Sequence, residues 1–98
     1  MDDKIFEVID KTSRKIRLTK RQWMHITIKH TDLSNKEKEI IDALENPDII
    51  LGHRFDEMAG NYYKYDKIEK AYLVVSAKYL NGEGFVITSF YTRHIKKK

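Results

Sequence analysis

Apolar and polar positions alternate weakly from Lys4 to Thr12, where Ile5, Glu7 and Ile9 oppose Phe6 and Val8, and the alternation resumes over Lys15–Leu18. Strand side chains point to opposite faces with period two, so this stretch predicts two short strands around a turn at Ser13. The period then lengthens. Thr19 is followed three residues later by Gln22, the spacing at which a hydroxyl accepts from a free helix amide while the amide side chain reaches back, and a helix over about Lys20–His30 is expected. Ser34 and Glu37 repeat the spacing and open a second helix with an apolar stripe of Ile40, Ile41 and Leu44. Asn46-Pro47 ends it, because proline has no amide hydrogen to continue the ladder.

Beyond Pro47 period two returns. Asp48–Phe55 predicts a strand, Asp56–Asn61 a loop marked by Gly60-Asn61, and Tyr62–Tyr65 a further short strand. Lys70–Leu80 and Phe85–Ile95 are long β-branched and aromatic runs joined by Asn81-Gly82-Glu83-Gly84, whose glycines can supply positive φ in a hairpin turn. Strands, two helices, then strands predict an α+β fold: an antiparallel sheet of about five to six strands with two N-terminal helices packed on one face and the other face free. In the last strand Phe85, Ile87, Ser89, Tyr91 and Arg93 point one way by simple alternation, and Val86, Thr88, Phe90, Thr92 and His94 the other. Both sets begin apolar and end polar, so a site is expected near the C-terminal end of this strand, on a face that alternation leaves undecided.

The chain has 98 residues, enough for one domain over 1–98 with a modest core. With no cysteine, disulfides, thiolate metal sites and a cysteine nucleophile are excluded. The first ten residues, MDDKIFEVID, are acidic and lack a continuous apolar run, and no stretch reaches membrane-spanning length, so a cytoplasmic protein with no membrane partner is expected. The net charge of +4 is unevenly spread. No Asp or Glu lies between Asp10 and Asp32, where Lys11, Arg14, Lys15, Arg17, Lys20, Arg21 and Lys29 all fall; Arg93, His94 and Lys96–Lys98 form a second basic run, and 37–48 is acidic. Two basic runs that meet in space would bind a polyanion with salt-dependent affinity, whereas the same lysines dispersed would serve only solubility.

His25 and His30 lie in the first basic run and can move protons near neutral pH. On a helical wheel His25 falls nearly opposite Trp23, Met24, Ile26 and Ile28, and His30 falls about 140° from His25. They meet in one site only if His30 leaves the helix; otherwise one is a solvated surface residue and the other a cation at the helix C-terminus. His25, His30, His53 and His94 lack paired ligand spacing and an adjacent carboxylate cluster, so neither metal nor other cofactor is expected. Tyr62, Tyr63, Lys64 and Tyr65 could stack an unpaired base and hold a phosphate, and serve equally as a strand with tyrosines at the core rim.

The succession LTKRQWMHITIKHTDL, EIIDALENPDII, NYYKY and YLVVSAKYLNGEGFVITSFYT, from about Arg17 to Ile95, resembles the phage-associated PBECR nuclease domains, grouped with barnase, EndoU, colicin ribonucleases and RelE-type toxins. The resemblance implies a barnase/RelE-like fold and a metal-independent endoribonuclease of toxin systems or mobile elements. Carried onto this chain, the paired motif histidines match His25 and His30, the YYK lysine matches Lys64, and the strand hydroxyl in VIT matches Thr88. Arg54, Tyr63, Ser89, Tyr91 and Arg93 are expected to bind substrate. One histidine would take the ribose 2′-hydroxyl proton or protonate the leaving 5′-oxygen, Lys64 and Arg54 would stabilise the charge on phosphorus, and a 2′,3′-cyclic phosphate would result. RNA is the expected partner, together with an acidic antitoxin or immunity protein. A non-catalytic RNA- or DNA-binding module on the same sheet, or a protein-interaction domain using the acidic second helix, are the alternatives.

Overall fold

A computed structural model describes residues 3–95. The first hairpin joins β1 (Lys4–Ile9) to β2 (Lys15–Thr19) through a turn in which Ser13 takes φ +70°. Asp10 organises the turn: Oδ1 accepts from the backbone N–H groups of Thr12 at 3.0 Å and Arg14 at 2.8 Å. The same buried carboxylate accepts from the hydroxyl of Tyr62, which also lies 2.9 Å from the Tyr79 hydroxyl, and the Arg14 guanidinium sits 4.0 Å above the Tyr79 ring. One acidic residue thus ties the first hairpin to two later strands, with its charge satisfied by donors.

Helix α1 (Lys20–Lys29) starts where the capping pattern predicts, the Thr19 hydroxyl accepting from Gln22 N–H at 3.1 Å. The Gln22 side chain does not reach back, however; it donates to the carbonyl of Ile87. Helix α2 (Glu37–Glu45) departs from its expected start. Thr31–Leu33 forms a 3₁₀ turn, and the Ser34 hydroxyl donates to the Thr31 carbonyl at 2.7 Å, so it is committed one turn early and Lys36 caps the helix without a side-chain bond. The helix ends at Asn46, before Pro47, and its Leu44 carbonyl accepts from Lys11 N–H at 2.9 Å.

Four strands follow: β3 (Ile49–His53), β4 (Asp56–Asp66), β5 (Ala71–Tyr79) and β6 (Glu83–Thr92). Residues Asp56–Asn61, expected as a loop, are the first half of β4. Gly60 is there for room rather than for a turn, since a Cβ would run into the Tyr79 side chain. The turn before β6 uses Gly82 at φ +77°, as a glycine position should.

The strand order is β1-β2-β6-β5-β4-β3. Every pairing is antiparallel except β2 with β6, which is parallel, so the sheet is mixed and not antiparallel throughout. The chain leaves β2 through both helices and returns β6 beside it in the same direction, a long-range pairing that local periodicity does not encode. The core occupies one face: Ile16 and Leu18 of β2, Tyr62, Leu73, Val75, Ala77 and Val86 pack with Ile26 of α1 and Ile40, Ala43 and Leu44 of α2. Both helices therefore cover the same side, as expected. No helix among the described residues is long and apolar enough to cross a membrane.

A bulge in β6 changes which residues face the helices. Ser76 pairs with Thr88 but Ala77 pairs with Val86, leaving Ile87 as an extra residue. Simple alternation places Val86 with Thr88; the bulge instead puts Val86 on the helix side with Ser89 and Tyr91, and Phe85 on the free side with Thr88, Phe90 and Thr92. The Ile87 carbonyl meets the Gln22 amide of α1.

Candidate functional site

The helix-free face is built in rows that follow from register. Thr88, Ser76, Asn61 and Leu51 lie side by side across β6, β5, β4 and β3, and the next row is Phe90, Val74, Tyr63 and Ile49. The first row is mostly hydroxyl and amide, with the Ser76 hydroxyl donating to Asn61 Oδ1 at 2.6 Å. The second is apolar and closes on itself: Val74 is only 1 % exposed although no helix covers it. This side of the sheet is therefore a firm platform with a polar strip beside an apolar one.

Over this platform opens a cleft of about 410 Å³, lined by His53, Arg54, Phe55, Asn61, Tyr63, Phe90, Thr92 and His94 with Leu51 and Gly52. The turn between β3 and β4 supplies one wall, the end of β6 the other. Within the turn, His53 Nδ1 accepts from Phe55 N–H at 3.2 Å, which leaves Nε2 as the protonated nitrogen of the neutral ring. Arg54 lies 5.4 Å from the centre of the Phe55 ring, and that ring is 84 % exposed. On the other wall, the Thr92 hydroxyl donates to the His94 carbonyl at 3.2 Å, turning the chain so that His94 follows β6 back over the cleft. The His94 ring has no hydrogen-bond partner among the described residues, and the same is true of His30.

Helix α1 borders the same platform along β6. His25 is exposed beside a groove shared with Gln22, Lys29, Ile87 and Thr88. His30 has left the helix, with ψ +77° at the C-cap, and its ring centre lies 6.1 Å from that of Phe90. The wheel separation of these two histidines therefore does not hold: they flank Thr88 and Phe90, successive positions on one face of one strand, about 7 Å apart along it. All four histidines of the chain border this one face.

The expected site residues divide between the two faces. Arg54 and Tyr63 line the cleft, and His25, His30 and Thr88 lie along its β6 margin. Lys64 lies on the helix side, 3.9 Å from Asp42 and 4.0 Å from Asp48. Ser89 is fully buried there and donates to the Val74 carbonyl at 2.7 Å. The Tyr91 hydroxyl donates to Asp66 at 2.8 Å; burial and that carboxylate push its pKa up, so it stays protonated through the ordinary pH range. Arg93 is exposed beside Asp32 and Glu69. His53, Phe55, Asn61, Thr92 and His94 are cleft residues that sequence reasoning did not select. The available signal was His94 itself, whose position on the strand's polar end was visible, whereas His53 needed the pairing of β3 with β4.

The basic run of residues 11–29 is partly spent on structure. Arg14 stacks on Tyr79, and Arg17 pairs with Glu83 at 3.0 Å and lies 5.7 Å from the Phe85 ring centre. Lys78, on the free face, is tied to Asp56, whose pKa is held below the usual carboxylate value first by that bond and then by Met58 N–H. The Lys96–Lys98 run lies outside the described residues. Among the described residues no group of three or more His, Asp or Glu side chains is arranged to hold a metal ion. No family model matches the chain, and neither the curated proteins nor the solved structures yield a match.

Proposed function

We propose that this chain is a metal-independent endoribonuclease of barnase/RelE-like fold, toxin-like or carried by a mobile element, acting on cytoplasmic RNA across the helix-free face of the sheet. The observation that carries the reading is the convergence of His53, Arg54, Asn61, Thr92 and His94 in one cleft, with His30 and His25 along its margin. Phosphodiester transesterification needs a base for the 2′-hydroxyl, an acid for the 5′-oxygen and donors for the charge on phosphorus. His94 and His30, whose rings have no hydrogen-bond partner among the described residues, serve for proton transfer. His53, fixed as the Nε2–H tautomer by Phe55, is a donor to a phosphoryl oxygen and not the base. Arg54 supplies the cation, and Asn61, Thr88 and Thr92 orient the ribose and phosphate. The product is a 2′,3′-cyclic phosphate.

A second reading is favoured by Phe55, an 84 % exposed ring beside Arg54 at the mouth of the cleft: a binding module that stacks an unpaired base without cleaving. One experiment separates the two. Labelled single-stranded and structured RNA is incubated in EDTA with wild type, His94→Ala, His53→Ala and the His25→Ala/His30→Ala double variant. Cleavage leaving cyclic-phosphate ends, reduced about 100-fold or more in His94→Ala, supports the nuclease. Tight binding without cleavage, unchanged in every histidine variant, establishes the module and removes the catalytic roles.

A further inference from the structure

The face of α1 turned away from the sheet has features that neither the fold nor the cleft uses. Met24 and Ile28, one helical turn apart, are 63 % and 73 % exposed. The helix buries only Ile26 fully, whereas the shorter α2 buries Ile40, Ala43 and Leu44. Ten residues are too few to hold a helix by propensity, so α1 has little of the packing that stabilises short helices. Its first turn contains Lys20 and Arg21 and no acid, an arrangement the helix dipole disfavours. The exposed apolar side chains contribute little to folding and the terminal charge is unfavourable to the helix, so a complementary surface gains by burying the first and neutralising the second.

We infer that this ridge, Lys20, Arg21, Met24 and Ile28 with Lys29 at its margin, is a docking surface for an acidic, amphipathic segment of a partner protein. The chemistry of the ridge selects that occupant. A nucleic-acid backbone would meet the cations but leave Met24 and Ile28 in water. A second copy placed ridge to ridge would bring Lys20 and Arg21 against like charges. The acidic helix α2 of a second copy offers Glu37, Glu39 and Glu45 but no large exposed apolar side chain to meet Met24 and Ile28. An apolar stripe flanked by Asp or Glu satisfies both halves of the ridge, in the manner of a helix laid against a groove or ridge of its own periodicity. The inference does not depend on what the cleft does.

The methionines provide the test. Met24 and Met58 are both exposed, and Met58 lies on β4, two strands across the sheet from β6, so their ¹³C-methyl signals report separately on the ridge and on another part of the surface. The full chain is titrated with designed helical peptides of roughly 16 residues. One carries leucines at helical i, i+4 spacing flanked by Glu, a second carries Lys in place of Glu, and a third Ser in place of Leu. The expected result is a shift of the Met24 methyl by the Leu/Glu peptide alone, Met58 unmoved, and affinity falling about tenfold or more in Ile28→Ser and in Arg21→Glu. No response of Met24 to the Leu/Glu peptide, or equal affinity for the Ser peptide, overturns the proposal. So does displacement of the peptide by an RNA oligonucleotide that itself shifts Met24, which would assign the ridge to nucleic acid. A Met24 shift that grows with the concentration of the chain alone would assign it to self-association and overturn the proposal as well.

Discussion

Replacing Tyr62 by Phe removes one oxygen from the centre of the molecule and little else. The ring is fully buried, so no cavity larger than the hydroxyl is created, and the change isolates the bond to Asp10 and the contact with the Tyr79 hydroxyl. Asp10 keeps its bonds from Thr12 and Arg14, but a buried carboxylate losing a charge-assisted donor costs about 1.5–3 kcal/mol. For a domain of this size, with a urea m-value of about 1.3 kcal/mol/M, the midpoint should fall by about 1–2 M with m unchanged. A second readout comes from alkaline pH. Burial first, then the adjacent Asp10 and Tyr79, raise the Tyr62 pKa far above its ordinary 10.0. Above pH 10 the unfolded chain releases a proton that the folded chain retains, so stability is fully present below that pH and falls as pH rises, by up to about 1.4 kcal/mol per unit. Tyr62→Phe should lose stability at pH 7 and show a shallower alkaline decline, with the remainder attributable to Tyr91, whose pKa is raised in the same direction. Urea melts at pH 7 and pH 10.5 check both. A loss under about 0.5 kcal/mol at pH 7, with an unaltered alkaline slope, would refute the account of Asp10 as the tie between hairpin and sheet.

Thr19→Ala removes the cap acceptor of α1 and should cost about 1 kcal/mol, read as faster amide hydrogen exchange over Arg21–Trp23. Gly84→Ala drives a Cβ into the backbone carbonyl of Lys78 and within 3.0 Å of Ile16 Cδ1, and backbone cannot yield; a loss of about 1–3 kcal/mol is expected in thermal or urea melts. Gln22→Ala leaves the bulged Ile87 carbonyl without its donor and should destabilise by about 1 kcal/mol, with amide shifts concentrated at Ile87 and Thr88 by NMR. Lys64→Ala, on the helix side with Asp42 and Asp48, should change RNA cleavage by less than about threefold; a loss comparable with that of His94→Ala would place the chemistry on the wrong face in the present reading.

The local signals of the sequence were strong where a residue's role is decided by its neighbours in the chain. The turn at Ser13, the Thr19 cap, the stop before Pro47 and the Gly82 turn are all present, because each answers to backbone amides or φ values within a few residues. Failures came where the deciding partner is distant. Gly60 looks like a turn residue and is a strand residue chosen for the Tyr79 side chain, nineteen positions away in sequence. Ser34 has the spacing of a cap, but a 3₁₀ turn engages its hydroxyl first. Pairing of β2 with β6 depends on register between segments separated by both helices, which no window of the sequence contains. Of the expected site residues, Tyr63, His25 and Thr88 lie on the kinds of element expected for them, whereas Arg54 falls in the turn after β3 and His30 beyond the end of α1. Alternation already separates Thr88 from Ser89 and Tyr91; the bulge decides that Ser89 and Tyr91, and not Thr88, share the helix side with Val86.

That bulge is what makes the free face chemically capable. Were β6 regular through Ile87, strict alternation from Val86, which the core requires on the helix side, would carry Thr88, Phe90 and Thr92 under the helices as well. The free face would then present Ser89 and Tyr91 at its margin with α1, and the hydroxyls of Thr88 and Thr92 would need partners inside an apolar core. With the bulge, the helix side of β6 serves the core and the other side the platform and its cleft, while the carbonyl exposed by the irregularity is taken up by Gln22 of the helix that carries His25 and leads into His30. The face assignment along β6 and the contact between Gln22 and the Ile87 carbonyl thus meet at the same bulge. The arrangement couples them: a change that regularises β6 would move the site and the core together, so the two are not separable in this fold as they are when a site sits on loops alone.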